Sequence, residues 1–171
     1  MKRFLVLCLG NEVLSDDAFG PIIADRLRLL EREDDDVEII YAPSAGLSLL
    51  ELLEDRVAVL IVDTIITNAA PPGTLHHFSI GAQAPTRGLI NSHEVNLPTA
   101  LELGRQLGYA MPEDIQVVAV EAMDVLTLSQ KLTPPVTAVI EQTTAYIREW
   151  IKGVGTGLPV PQSPTIVPRH T

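Results

Sequence analysis

The strongest constraint on the fold is the alternation of short, wholly apolar runs with segments of helical period. Phe4 to Leu9 and Val57 to Val62 are each six consecutive apolar residues. They have strand length and no polar face, as a strand covered on both sides requires. Between them, Phe19, Ile22, Ile23, Leu27 and Leu30 share one helical face while Asp25, Arg28 and Arg32 point outward. Asp16 or Asp17 offers an N-cap to that helix, and Pro21 fits only its first turn. Val37 to Ala42 reads as a second strand, Leu47 to Leu53 as a short helix, and the third strand, Val57 to Val62, ends at Asp63. Thr74 to Ile80 reads as an edge strand, because His76 and His77 suit the middle of a doubly covered sheet poorly. Leu97 to Leu107 is helical, Ile115 to Val120 is a fifth strand, and Pro134 to Ile151 is a long amphipathic helix opened by Thr133 as N-cap. The expected class is α/β, one domain over residues 1–152 with its sheet between helices, followed by a loosely held Pro/Gly-rich tail over 153–171.

Composition narrows the function. The chain has 12 basic and 22 acidic residues, a formal net charge of -10, so it would repel a phosphate backbone, and no basic patch is segregated along it. Three Phe, three Tyr and one Trp are too few for a stacking platform, so no nucleic-acid partner is expected. Six apolar residues in a row fall far short of the roughly 20 that a membrane helix needs. The start imitates a signal peptide, but its apolar run is short and Gly10-Asn11-Glu12 follows without a small-residue cleavage site. The segment is read as a strand and the protein as cytoplasmic. Cys8 is the single cysteine and sits in a buried strand, where a small hydrophobic role is expected. The acidic run Glu31 to Asp36 is short and lies between patterned elements, as a solvated loop does.

Ligands of open parallel sheets bind at the carboxyl ends of strands, where neighbouring connections wind in opposite directions. If the second strand lies on one side of the first and the third on the other, that point falls between strands one and three. The first strand leads through Gly10-Asn11-Glu12 to Asp16-Asp17 and the third stops at Asp63, so both bring carboxylates to one crevice. The aperiodic segment Gly81 to Ser92 ends at His93, which can add an imidazole. Two carboxylates and an imidazole make a small divalent-metal site with open positions. Each residue also has an ordinary use: Asp17 as a helix cap, Asp63 as a turn residue, His93 as a hydrogen-bonded loop histidine. Other chemistries fit worse. Acids interrupt the glycines after strand one, unlike a phosphate-cradling loop. Ser44 lacks the first glycine of a nucleophile elbow, and His76 and His77, being consecutive on a strand, face opposite ways. Asp63-Thr64 is followed by Ile65 rather than the glycine of an aspartic-protease triplet, and has no second copy.

The segment Leu9-Gly10-Asn11-Glu12-Val13-Leu14-Ser15-Asp16-Asp17-Ala18-Phe19-Gly20 resembles the N-terminal signature of the NiFe-hydrogenase maturation proteases. The likeness continues through Ala45-Gly46, Leu60-Ile61-Val62-Asp63, Gly73-Thr74, Ser92-His93 and Leu132-Thr133-Pro134, about the first 150 residues. It implies a twisted, mostly parallel five-stranded sheet between helices, phosphorylase/hydrolase-like. It also implies an endopeptidase that removes the C-terminal extension of a hydrogenase large-subunit precursor after nickel has been inserted. The family's metal-contacting trio carries over to Asp17, Asp63 and His93, the residues the crevice argument selects. The chain departs from the family at Asp17, where some relatives have Glu, at Ala18, where many have Gly, at Tyr41-Ala42-Pro43, where an acid is frequent, and at Glu121-Ala122, where Glu-Pro is frequent. These departures suggest a divergent subgroup with its own hydrogenase partner.

On this reading nickel arrives with the substrate and no organic cofactor is needed. Asp17, Asp63 and His93 hold the metal over the crevice while a water attacks the scissile carbonyl, Asp16 being a candidate to orient it. A monomer is expected. Two alternatives use the same residues: a metallohydrolase that keeps its own zinc and cleaves an unrelated amide, and a noncatalytic nickel-dependent chaperone for the precursor.

Overall fold

The computed structural model describes residues 3–30, 36–43, 46–80 and 97–156. Five strands form one sheet in the order β2-β1-β3-β5-β4. They are β1 (Phe4–Leu9), β2 (Val37–Ala42), β3 (Ala58–Ile65), β4 (Leu75–Ser79) and β5 (Asp114–Glu121). All pair in parallel except β4, which runs antiparallel to β5 at the edge. The helices are α1 (Phe19–Leu30), α2 (Leu50–Leu53), α3 (Leu97–Gln106), α4 (Pro134–Thr137) and α5 (Ile140–Thr156).

Strand alternation divides the core in two. Phe4, Val6 and Cys8 of β1 face the same way as Leu60 and Val62 of β3 and pack beneath Phe19, Ile23 and Leu27 of α1 and Ile147 and Trp150 of α5. Leu5, Leu7 and Leu9 share the other face with Val59 and Ile61, under Leu49 and Leu53 before and within α2 and Leu97 and Leu101 of α3. All six residues of β1 are buried, which explains why its sequence has no polar period: both of its faces lie against helices.

The structure moves several expected boundaries. Helix α1 starts at Phe19 behind a separate 3-10 turn over Ser15–Ala18, so neither Asp16 nor Asp17 caps it, and Leu30 is 47% exposed at its end. Val57 lies outside β3, which instead continues through Asp63 to Ile65. The long C-terminal helix divides at Ala138 and Val139, where the Val139 amide reaches back only three residues to the Val136 carbonyl. Thr133 occupies the N-cap position of α4 with Pro following, but its side chain does not cap the helix. Helix α5 runs on to Thr156, past the boundary expected at residue 152. The acidic loop at 31–35, Ser44, the 81–96 segment with His93, and the tail from 157 lie outside the described residues.

Candidate active site

With β2 on one side of β1 and β3 on the other, the chain leaves β1 in opposite directions, and the switch point falls where the sequence placed it. Pairing between β1 and β3 ends at Cys8 and Val62. Asp63, Thr64 and Ile65 therefore overhang β1 and pair only with Ala119, Val120 and Glu121 of β5. Consecutive strand residues point to opposite faces. Asp63 thus shares the α3 face with Ile61 and Ile65, and Thr64 shares the α1 face with Leu60 and Val62.

The loop after β1 is closed on itself by backbone contacts. The Asn11 amide donates to the Asp17 carbonyl (3.1 Å), the Asp17 amide donates to the Leu14 carbonyl (3.0 Å), and the Asn11 side chain accepts from the Val13 amide (3.1 Å). Gly10 adopts φ +135, and a Cβ there would stand 2.0 Å from the Asp17 carbonyl oxygen. Only glycine lets the chain turn this tightly against the start of the helix. Gly20 approaches β1 just as closely, with its Cβ position 1.9 Å from the Leu9 carbonyl oxygen. The spacing of the two glycines is what sets Asp17 at the carboxyl edge of the sheet.

Asp16 and Asp17 do different work. Asp16 is fully buried, and its carboxylate accepts the Met123 and Asp124 amides (2.9 and 3.0 Å) and both the amide and hydroxyl of Thr133 (2.7 and 2.9 Å). Its own amide donates to the Asp124 carbonyl (2.8 Å). A carboxylate has about four lone-pair positions, and four donors occupy them here. The expectation that Asp16 orients a water or ligand is corrected: it fastens the loop after β5 and the start of α4 to the loop after β1. This also explains why the Thr133 hydroxyl does not cap α4.

Asp17 is only partly covered. Burial raises its carboxyl above the ordinary value, against hydrogen bonds from the Thr64 hydroxyl and the Asn11 backbone. Asp63 is 7% exposed. Burial, with the charge of Asp17 adding to it, pushes its pKa up to about 7 against the Thr64 amide. Thr64 touches both acids. Its hydroxyl donates to Asp17 Oδ1 (3.0 Å) and its amide donates to Asp63 Oδ1 (2.8 Å). Tyr41 closes the β2 side, its hydroxyl donating to the Gly10 carbonyl (3.3 Å); burial, followed by the charge of Glu12, raises its pKa. Among the described residues neither Asp17 nor Asp63 joins a salt bridge. Two adjacent carboxylates with little cationic compensation favour a shared proton or a bound cation.

The structure brings Asp17 and Asp63 together around Thr64. His93 lies outside the described residues, and among those residues no three potential ligands gather into a metal site. Thr64 was missed as a partner of both acids, although strand period alone turns it away from Asp63 and towards the α1 side. Cys8 is buried in β1 and its thiol is pushed up to about 12 by desolvation, as its small hydrophobic role requires. Glu121 was noted only as a departure from the family pattern, yet it organises the loop after β3. It accepts the Thr67 amide and hydroxyl (both 2.7 Å), the Asn68 amide (3.0 Å) and His76 Nε2 (2.9 Å).

The fold is thus an α/β sheet with an acid pair at its switch point. The family model for hydrogenase maturation protease matches residues 22–150, and this chain belongs to that family. It is an endopeptidase of hydrogenase maturation. The matched span includes Asp63 and His93, while Asp16 and Asp17 precede it. The chain is 32% identical over 154 residues to the hydrogenase 2 maturation protease of Escherichia coli (strain K12), covering 86% of this chain and 92% of that protein. Its fold is similar to that of the solved E. coli hydrogenase maturating endopeptidase (TM-score 0.72, 26% identity, 91% of this chain and 94% of that one). A hydrogenase maturation protease from Thermococcus kodakarensis KOD1 shares the fold at 21% identity (TM-score 0.68, 88% and 93% covered).

Proposed function

We propose that this protein removes the C-terminal extension of a NiFe-hydrogenase large-subunit precursor, and does so once nickel is in place. The observation that carries this reading is the meeting of Asp17 and Asp63 at the switch point. They arrive from different elements, and among the described residues neither joins a salt bridge, while burial raises both carboxyls. A nickel ion presented by the precursor supplies the missing positive charge, with His93 as third contact. Holding the metal holds the peptide beside it. A water then attacks the scissile carbonyl carbon, the C–N bond breaks and the new amine takes a proton. Positioning is the main contribution, since a bound reactant gains orders of magnitude in effective concentration and Cys8 offers no thiolate.

The nickel is part of the substrate, so the protein by itself needs only modest metal affinity. No helix among the described residues is long and apolar enough to cross a membrane; the proposed enzyme is a monomer that acts in the cytoplasm. The net charge of -10 favours a basic patch on the precursor. The test is to incubate nickel-loaded and nickel-free precursor with the protein and record intact masses. Loss of a C-terminal peptide from the nickel-loaded form alone is the expected result, and shortening of both forms would remove nickel from recognition. Binding of a cognate precursor without shortening of either form would remove the proteolytic role.

A further inference from the structure

We propose that Thr64 is the positioning residue that sets the spacing of Asp17 and Asp63 for a cation carried by the substrate. This assignment rests on the function proposed above. The two acids reach the carboxyl edge from opposite sides of the sheet. Asp63 projects with Ile61 and Ile65 towards α3, while Asp17 comes from the turn that precedes α1. Nothing in the strand pairing fixes one relative to the other, because β1 stops pairing with β3 at Cys8 and Val62, before Asp63 is reached. Thr64 bridges the gap with two different donors. Its amide is part of β3, paired opposite Val120 of β5, and donates to Asp63 Oδ1 at 2.8 Å. Its hydroxyl leaves from the other face and donates to Asp17 Oδ1 at 3.0 Å.

The residue type fits this task narrowly. A strand position between Asp63 and Ile65, on the same face as Val62, favours a β-branched side chain, and Val would satisfy the packing. Val has no hydroxyl, so only Thr combines the strand preference with a donor aimed at Asp17. The hydroxyl also holds the acids together against their mutual repulsion. Without it Asp17 is free to turn towards water, and a cation must gather the two carboxylates at its own cost.

The test compares Thr64→Val and Thr64→Ser with wild type on nickel-loaded precursor, measuring KM and kcat separately and thermal unfolding in parallel. For Thr64→Val, KM is expected to rise about ten- to hundredfold, the range for losing one hydrogen bond to a charged group, with an unfolding midpoint equal to or above wild type. Thr64→Ser restores the donor and is expected to return KM to within about threefold of wild type. Thr64→Ala covers the case in which valine disturbs the strand, and is expected to follow Thr64→Val in KM. Wild-type kinetics in Thr64→Val, with the preference for nickel-loaded precursor intact, would overturn the Thr64 assignment alone. Failure of serine to rescue would overturn it too, by leaving packing as the cause. If wild type itself processes nickel-loaded and nickel-free precursor equally, the functional reading fails and the assignment to a substrate cation falls with it.

Discussion

Asp63 and Glu121 lie at the carboxyl ends of the paired strands β3 and β5, two residues apart in register, since Glu121 pairs with Ile65 and Asp63 with Ala119; they are 7% and 2% exposed, and their carboxyls are shifted in opposite directions. Burial pushes both upward. At Glu121 it is outweighed by hydrogen bonds from the Thr67 hydroxyl and amide, His76 and the Asn68 amide, which together hold the carboxyl below its ordinary range. At Asp63 a single amide, that of Thr64, opposes burial, and the charge of Asp17 adds to it. Four donors meet Glu121 and one meets Asp63, and the acid with more donors is the one held charged within the protein's own contacts. Glu121, like Asp16, is consumed in holding loops. Among the described residues Asp63 and Asp17 join no salt bridge, as the proposed cation contact requires.

If this contrast is correct, the largest difference lies in activity. Asp63→Asn keeps the shape and removes the charge, and processing of nickel-loaded precursor should fall by about 100-fold or more, the cost of misplacing a bound reactant. Glu121→Ala, assayed by intact mass at a temperature where it remains folded, should stay within about tenfold of wild type because it acts through the 67–68 loop. Similar losses in both variants would erase the distinction.

Stability should change in the reverse sense. Removing the Glu121 carboxylate leaves its donors without a partner and should cost about 2 kcal/mol in urea unfolding at pH 8. Asp63→Asn should instead stabilise by about 1–3 kcal/mol there, since it removes a buried charge that the fold compensates poorly.

The pH dependence of those differences follows from linkage. The unfolded Asp63 carboxyl loses its proton near 3.8 and the folded one near 7, so the penalty it places on folding grows as pH rises between them and is complete above about 7. The gain from Asp63→Asn should therefore be full at pH 8, shrink through pH 6 and vanish near pH 4. Glu121 behaves in the opposite way. Its folded value lies below its ordinary 4.5, so its contribution is present above that range and is lost on acidification through the folded value. Unfolding midpoints collected across this range would expose either sign if it were wrong. A smaller effect is expected at His76, whose ring is 20% exposed on the solvent side of the Glu121 network. His76→Ala should cost about 1 kcal/mol, read by the same unfolding measurement, with processing little changed.

The sequence by itself indicated the strands, and placed the switch point between β1 and β3 on the condition, met in the structure, that β2 and β3 flank β1. Continuous apolar runs at Phe4–Leu9 and Ala58–Val62 have strand length and no polar face, as strands buried on both faces do, and the helical period of α1 is legible because burial enforces it residue by residue. It also brought Asp17 and Asp63 to the ends of strands that share one crevice; the tight path that Gly10 and Gly20 give the loop after β1 is seen only in the structure. Only the tertiary structure decided which acid does which work. Asp16 and Asp17 are adjacent and chemically identical in the sequence, and nothing local says that Met123, Asp124 and Thr133 would converge on the first and Thr64 on the second. Donors that come from more than a hundred residues away leave no mark on local pattern, and it is their count around each carboxylate that separates the acid that ties the fold together from the pair left open to a ligand.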